Sequence, residues 1–177
     1  LVVVRRDRQE AVDPGALHQL GHALAAQGPD GRVHRERAGP PGVVGVVVEG
    51  VALVAFPELG LSAYTCDDLF HQSALLDGCE AALARIVEAS RGLPTIAVVG
   101  LPLRVDHRLY NCAAVVAGGA LLGVLPKTYL PNYAEFYEGR QFSSADGALA
   151  TEIELCGARV PFGAELLFRA RGLPLLT

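Results

Sequence analysis

Two short segments in the middle of the chain are apolar, at residues 51–56 and at residues 95–99, where Thr95 is followed by four apolar residues. Runs of this length are typical of strands that are buried on both faces of a sheet. Pro57 follows the first run and Gly100 follows the second, and both residue types interrupt regular structure. The pattern therefore predicts two buried strands that end at Pro57 and at Gly100.

A helix is predicted between these strands, because apolar residues of the segment 74–89 recur at intervals of three and four positions. Asp67 and Asp68 precede this segment and are candidates to cap the helix start. Gly92 and Pro94 follow it and are expected to end the helix. The apolar positions of the predicted helix are Leu75, Cys79, Leu83, Ile86 and Val87.

Two hairpins are predicted in the second half of the chain, each from two short strands joined at glycine. They comprise residues 112–117 and 120–125 around Gly118 and Gly119, and residues 151–155 and 158–161 around Gly157. A strand, a helix, a strand and then a hairpin favour a layered α/β domain with a mixed sheet.

Residues 1–48 have a different composition from the rest of the chain. The segment 28–41 is rich in Gly, Pro, Arg and His, and residues 43–48 are nearly all valine. The pattern shows no clean strand followed by an amphipathic helix. We therefore expect a disordered leader, or a segment translated outside the natural reading frame. Because the chain begins at Leu1 without a start residue, it is also expected to be a fragment at this end.

Composition narrows the class of protein. The chain has 177 residues, of which 51% are hydrophobic, so it can bury a core. Its net charge of -4 and lack of a basic stripe argue against nucleic acid as a partner, and no apolar run reaches membrane-spanning length. The four cysteines lack CxxC spacing, which argues against a metal site or a disulfide framework. We expect reduced thiols and a cytoplasmic location.

Glu58 and Lys127 are the first candidates for chemistry. Each follows a predicted buried strand directly behind a proline, and Lys127 is the one lysine among fifteen cationic residues. Such strand ends are where α/β proteins place ligand sites. A partly desolvated carboxylate can act as a general base, whereas a lysine provides a compact positive charge. Surface positions for both residues are the simpler alternative.

The sequence around these residues resembles that of the nitrilase or carbon–nitrogen hydrolase superfamily. The similarity lies in FPELGLSAYTCDDLFHQSALL at residues 56–76, LPKTYLPNYAEFYEGRQ at 125–141 and VPFGAELLF at 160–168. Within the superfamily these segments are most similar to the glutaminase domain of bacterial glutamine-dependent NAD synthetases. The resemblance implies a four-layer α-β-β-α sandwich, incomplete here, with residues 49–177 forming part of the domain.

The resemblance also implies roles for individual residues. Glu58 would be the general base, Lys127 would stabilise the oxyanion, and Glu138 would be the second glutamate of the site. Tyr64 and Tyr133 would line the glutamine pocket. The nucleophilic cysteine is expected beyond Thr177. None of the four cysteines present is a good substitute, although Cys66 lies nearest to Glu58 in sequence.

The implied activity is glutamine hydrolysis that supplies ammonia to an ATP-dependent synthetase domain of the same chain, which amidates deamido-NAD. No cofactor or metal is expected for the amidase part, whereas ATP and Mg²⁺ would belong to the synthetase domain. A homo-oligomer is expected. Two alternatives stay open: a free-standing hydrolase of a small amide or carbamoyl compound, and a remnant without activity. The chain alone is expected to be inactive.

Overall fold

The structure is a computed structural model that describes residues 2–5, 51–133 and 136–169. Its strands are β1 (Val2–Arg5), β2 (Val51–Ala55), β3 (Ile96–Val105), β4 (Arg108–Ala117), β5 (Ala120–Pro126), β6 (Glu152–Leu155) and β7 (Ala158–Pro161). The described α-helix is α1 (Ser73–Ala89), and short 3-10 helices cover Asp67–His71, Glu138–Arg140 and Ala145–Gly147. No helix within these ranges is long and apolar enough to cross a bilayer.

Five strands form one mixed sheet in the order β1-β2-β3-β4-β5, and β6 pairs with β7 in a separate hairpin. β2 and β3 run parallel, as expected for strands joined through α1, while the other neighbours are antiparallel. The predicted mixed α/β sheet is therefore confirmed. Because β2, β3 and β5 run in the same direction, the carboxyl ends of β2 and β5 lie at the same end of the sheet. Glu58 and Lys127 follow these two ends.

One face of the sheet carries the main core. Leu83 of α1 packs in a buried cluster with Val99 of β3 and Ala114 of β4, and the β6–β7 hairpin adds Leu155 and Val160. The burial of apolar side chains on this face accounts for the position of α1. The helix and the sheet thus form adjacent α and β layers.

The opposite face is only partly covered, and this corrects the prediction that the first strand is buried on both faces. In β2, Ala52 and Val54 are buried, whereas Leu53 and Ala55 are half-buried. Among the described residues, the tail at 166–168 approaches this face at Gly123. A further layer on this face is what a four-layer sandwich requires.

Gly100 does not end its strand, contrary to the prediction. β3 continues to Val105, and Asp106 and His107 form a two-residue turn with φ of 48° and 63° before β4 begins. A Cβ at Gly100 would lie 2.5 Å from the Leu59 amide nitrogen. The glycine therefore marks the close approach of the chain next to Glu58.

The helix start also differs from the prediction. Asp67 and Asp68 belong to a separate 3-10 helix, and α1 begins at Ser73 with Gln72 at its N-cap and no side-chain cap. Asp67 has a φ of 45°, which is incompatible with continuous helix from this point. The end of the helix is as predicted, since α1 stops at Ala89.

β1 lies within the segment 1–48, where the pattern did not predict a clean strand. The β-branched run Val2–Val4 pairs with β2 in antiparallel register. The other residues of this segment lie outside the described residues, so their disorder or reading frame stays a prediction.

Candidate active site

A tight loop after β2 positions Glu58. The amide of Gly60 donates to the Pro57 carbonyl at 3.1 Å, and Leu61 donates to the Gly100 carbonyl at 3.1 Å. Leu59 between them is fully buried and has a φ of 52°. The Gly60 bond thus closes the loop on itself and the Leu61 bond anchors it to β3, while the Glu58 side chain stays 41% exposed.

Lys127 is held by backbone hydrogen bonds in two directions. Its amide donates to the Asn111 carbonyl of β4 at 2.8 Å, and its carbonyl accepts from Ala145 at 3.0 Å. The ammonium Nζ lies 2.5 Å from Glu58 Oε1 and 2.9 Å from Glu138 Oε2. The structure therefore brings the predicted base, lysine and second glutamate together.

Glu138 is the buried member of this group, with only 5% of its side chain exposed. Its carboxylate accepts from Lys127 and from the Tyr64 hydroxyl, the latter at 2.6 Å. A buried carboxylate without such donors would be strongly destabilising. Glu138 therefore contacts the lysine ammonium from the buried side, and Glu58 contacts it from the more exposed side.

Charge and burial act in opposite directions on Lys127. Partial burial lowers the pKa of Lys127, but its hydrogen bonds and charge interactions with Glu58 and Glu138 outweigh this, so the pKa is raised overall. The side chain is therefore a permanent ammonium at neutral pH. Such a group suits stabilisation of a developing negative charge and does not suit proton abstraction.

The two predicted tyrosines occupy different places. Tyr64 joins the charged network through Glu138, and burial followed by this hydrogen bond raises the pKa of its hydroxyl. Tyr133 is 69% exposed and lies at the periphery. Phe136 packs edge-on against both rings, with centroids 6.3 Å from Tyr64 and 5.7 Å from Tyr133. Their contact with glutamine stays a prediction.

Asn111 is a member of the network that the sequence analysis missed. It lies in β4, is only 4% exposed, and donates from Nδ2 to Glu58 Oε1 at 2.5 Å. The predicted strand began at residue 112 and so excluded it. Asparagine is rare in strand interiors, and its position directly before an apolar run was the available signal.

A cavity of about 340 Å³ opens beside these groups. Its polar wall contains Glu58, Asn111 and Lys127, and apolar side chains such as Phe56 and Leu125 form the rest. Apolar walls with a few convergent polar groups are typical of sites for small molecules. The arrangement therefore suits a small substrate with a polar reacting group.

None of the four cysteines forms a hydrogen bond with Glu58 or Lys127 in the described part of the chain. Cys112 borders the cavity but belongs to the core cluster, and burial raises the pKa of its thiol. Burial also raises the pKa of Cys79, to about 11. Cys66 donates to the Ser62 carbonyl, and Cys156 lies in the β6–β7 turn. The described site contains a base and an ammonium without an activated thiol.

The chain is similar to known proteins over most of its length. The chain is 52% identical over 126 residues to the glutamine-dependent NAD(+) synthetase of Mycobacterium tuberculosis, covering 71% of this chain and 18% of that protein. It is 46% identical over 125 residues to the enzyme of the same name from Mycobacterium leprae, with the same coverage. The crystal structure of the synthetase from Cytophaga hutchinsonii superimposes with a TM-score of 0.66 at 25% identity.

The chain spans about a fifth of the length of these relatives, since it covers 22% of the Cytophaga protein and 73% of the chain takes part in that match. The fold is the mixed α/β arrangement of the carbon–nitrogen hydrolases, with part of the sandwich present among the described residues. The sequence profile of the carbon–nitrogen hydrolases matches residues 8–165. The match therefore reaches into the segment 1–48 and includes all the network residues. The chain belongs to the carbon–nitrogen hydrolase family.

Proposed function

We propose that this chain contributes the base and the oxyanion-stabilising group of a glutamine amidase that supplies ammonia for NAD synthesis. The observation that carries the proposal is the Lys127 ammonium, which lies between Glu58 and Glu138 at 2.5 Å and 2.9 Å. The proposal is supported by relatives that are named glutamine-dependent NAD(+) synthetases. Glutamine is the proposed substrate because those names specify it.

Each residue would have a separate role in amide hydrolysis. A cysteine outside the described residues would transfer its thiol proton to Glu58 and attack the side-chain amide carbon. Lys127 Nζ would donate to the oxyanion that forms, and Glu138 would keep the ammonium directed at it. Glu58 would return the proton to the leaving nitrogen, and ammonia would depart. Glu58 would then take a proton from water, which attacks the thioester carbon. The C–S bond would break, glutamate would leave, and Glu58 would return the proton to the cysteine sulfur.

The same proposal includes a linked synthetase domain, in line with the names of the relatives. The ammonia would pass to this linked synthetase domain, which would use ATP and Mg²⁺ to amidate deamido-NAD. No described residue is assigned to that nucleotide or metal. A homo-oligomer is proposed as well, as the resemblance to this family implies. A free-standing amidase would produce ammonia without the coupled NAD synthesis.

The test is glutamate release by the complete gene product, compared with the 177-residue chain alone. We expect hydrolysis by the complete protein and none by the chain alone. Lys127→Ala in the complete protein should lower kcat by about 10²-fold or more, in line with the loss of an oxyanion donor. Lys127→Arg should not restore the rate, since the guanidinium does not reproduce a compact ammonium.

Arg159→Ala is the matched control, because Arg159 pairs with Glu152 on an exposed hairpin. It should leave the rate unchanged. Equal activity of the wild-type protein and Lys127→Ala would refute the role of the lysine. Ammonia release without ATP-dependent formation of NAD would favour the free-standing amidase instead.

A further inference from the structure

Asn111 is a buried polar residue in an otherwise apolar strand. Its neighbours Tyr110 and Cys112 both point into the main core, so Asn111 points to the opposite face, toward the cavity. Only 4% of it is exposed. A buried amide is tolerated where its hydrogen bonds are satisfied. The hydrogen-bond partners of Asn111 therefore indicate its role in the site.

Both donors that reach Glu58 in the described structure use the same oxygen. Asn111 Nδ2 and Lys127 Nζ each lie 2.5 Å from Oε1. Among the described residues, Oε2 of Glu58 has no hydrogen-bond donor. The orientation of the asparagine amide follows from chemistry, because an ionised carboxylate only accepts and the amide must turn its NH2 group toward it. The two oxygens of Glu58 are thus inequivalent.

The backbone of Asn111 provides a second connection. Its carbonyl accepts from the Lys127 amide at 2.8 Å, so the same residue bonds to the general base through its side chain and to the lysine through its main chain. A single position in β4 therefore sets where both groups lie. Glu58 reaches this point from a loop that is itself anchored on β3.

We propose that Asn111 is a positioning residue that holds Oε1 of Glu58, so that Oε2 is the atom that accepts the proton. Without the amide, the carboxylate can rotate and present both oxygens to Lys127. The base atom would then turn away from the cavity. The inference rests on the proposed function in assigning a proton to Glu58, but the hydrogen bond itself can be measured without any activity.

The first experiment is NMR of the side-chain NH2 group of Asn111 in the 177-residue chain. A charge-assisted hydrogen bond should shift one of the two protons downfield and slow its exchange with water. Glu58→Leu should remove both effects, whereas Glu154→Leu, an exposed glutamate of β6, should leave them unchanged. An Asn111 signal that does not respond to Glu58→Leu would overturn the proposal.

The second experiment measures kcat and KM for glutamine in the complete gene product with Asn111→Leu and Asn111→Gln. We expect Asn111→Leu to lower kcat by roughly 10- to 100-fold with little change in KM, because the base is displaced and the substrate site is kept. Asn111→Gln should recover part of kcat, since it restores the donor on a longer side chain. Equal losses in both variants would indicate a packing role and overturn the proposal.

The Lys127 amide provides the control for folding, because its acceptor is the backbone of residue 111 and persists in every variant. If Asn111→Leu abolishes the slow exchange of this amide, the variant has lost the local fold. The comparison of wild type with Glu58→Leu then decides the question. If the wild-type protein releases no glutamate, the proposed function fails, and the NMR result still accepts or rejects the hydrogen bond.

Discussion

The Tyr64 hydroxyl donates a 2.6 Å hydrogen bond to Glu138 across a separation of 74 residues in sequence. This bond joins the loop after β2 to the segment after β5, the two segments that carry the candidate base and its supporting carboxylate. The site is therefore held together by side chains as well as by the sheet.

Replacing Tyr64 by phenylalanine should lower the free energy of unfolding by about 1 kcal/mol. The change removes one donor from the buried carboxylate but keeps the ring against Phe136. Urea denaturation of the two proteins measures the difference. Tyr133→Phe is the control, because the Tyr133 hydroxyl has no hydrogen bond to a described residue. This change should leave the free energy of unfolding almost unaltered. Equal losses for both variants would contradict the assignment.

Replacing Lys127 by methionine should lower the free energy of unfolding by about 2 kcal/mol. The change leaves Glu138 buried without its cation, and the value falls below the roughly 3–5 kcal/mol of fully buried pairs because Lys127 is 29% exposed. Arg159→Gln breaks an exposed pair and should cost no more than about 0.5 kcal/mol. Thermal or urea unfolding that ranks these two variants equally would show that burial of Glu138 is not the cause.

Stability should fall in the alkaline range. The pKa values of Lys127 and Tyr64 are both raised in the folded protein from ordinary values of 10.5 and 10.0. The unfolded chain therefore loses these protons first, and the folded state holds more protons than the unfolded state. The stabilisation is complete below about pH 10 and declines as pH rises through the folded pKa values.

Urea unfolding of the wild type between pH 8 and pH 11 measures this decline. The double variant Tyr64→Phe, Lys127→Met should show a flatter pH dependence over the same range. A wild-type curve that is as flat as the curve of the double variant would show that neither group is linked to folding.

Gly100→Ala should destabilise the protein by about 1–3 kcal/mol and displace Glu58. The new methyl group would meet the Leu59 nitrogen at 2.5 Å and the Pro57 oxygen at 2.7 Å, and both are backbone atoms that cannot rotate away. Gly78→Ala is the matched control, because nothing lies within 4 Å of its Cβ position in α1. That change should stabilise the helix by up to about 1 kcal/mol. Chemical denaturation of both variants measures whether the free energy of unfolding falls for Gly100→Ala and rises for Gly78→Ala.

The sequence predicted the features that depend on local pattern. The apolar runs identified the parallel strands, and the prolines before Glu58 and Lys127 identified the strand ends where the charged groups meet. The turn at Asp106 and His107 was missed because it contains no glycine. Gly100 was misread because a close backbone approach comes from tertiary packing, which no local pattern encodes.

Asn111 was missed for a related reason. Its importance comes from a partner 53 residues away, and a single asparagine at a strand position carries no periodic signal. Glu138 was identified through the resemblance alone, since its burial depends on the packing of a short 3-10 helix. The contacts of Tyr64 and Tyr133 with substrate stay predictions, because the structure shows their protein neighbours only.

The register of β4 has a chemical consequence. Side chains alternate between the faces of a strand, so a shift by one residue would turn Asn111 into the core and turn the Cys112 thiol out of the core toward Glu58. A carboxylate would then face a thiol in place of an amide. What prevents this exchange is the burial of Tyr110 and Cys112 on the far side of the sheet, at 1% and 3% exposure. Packing on one face of the sheet thus determines which functional group the other face presents.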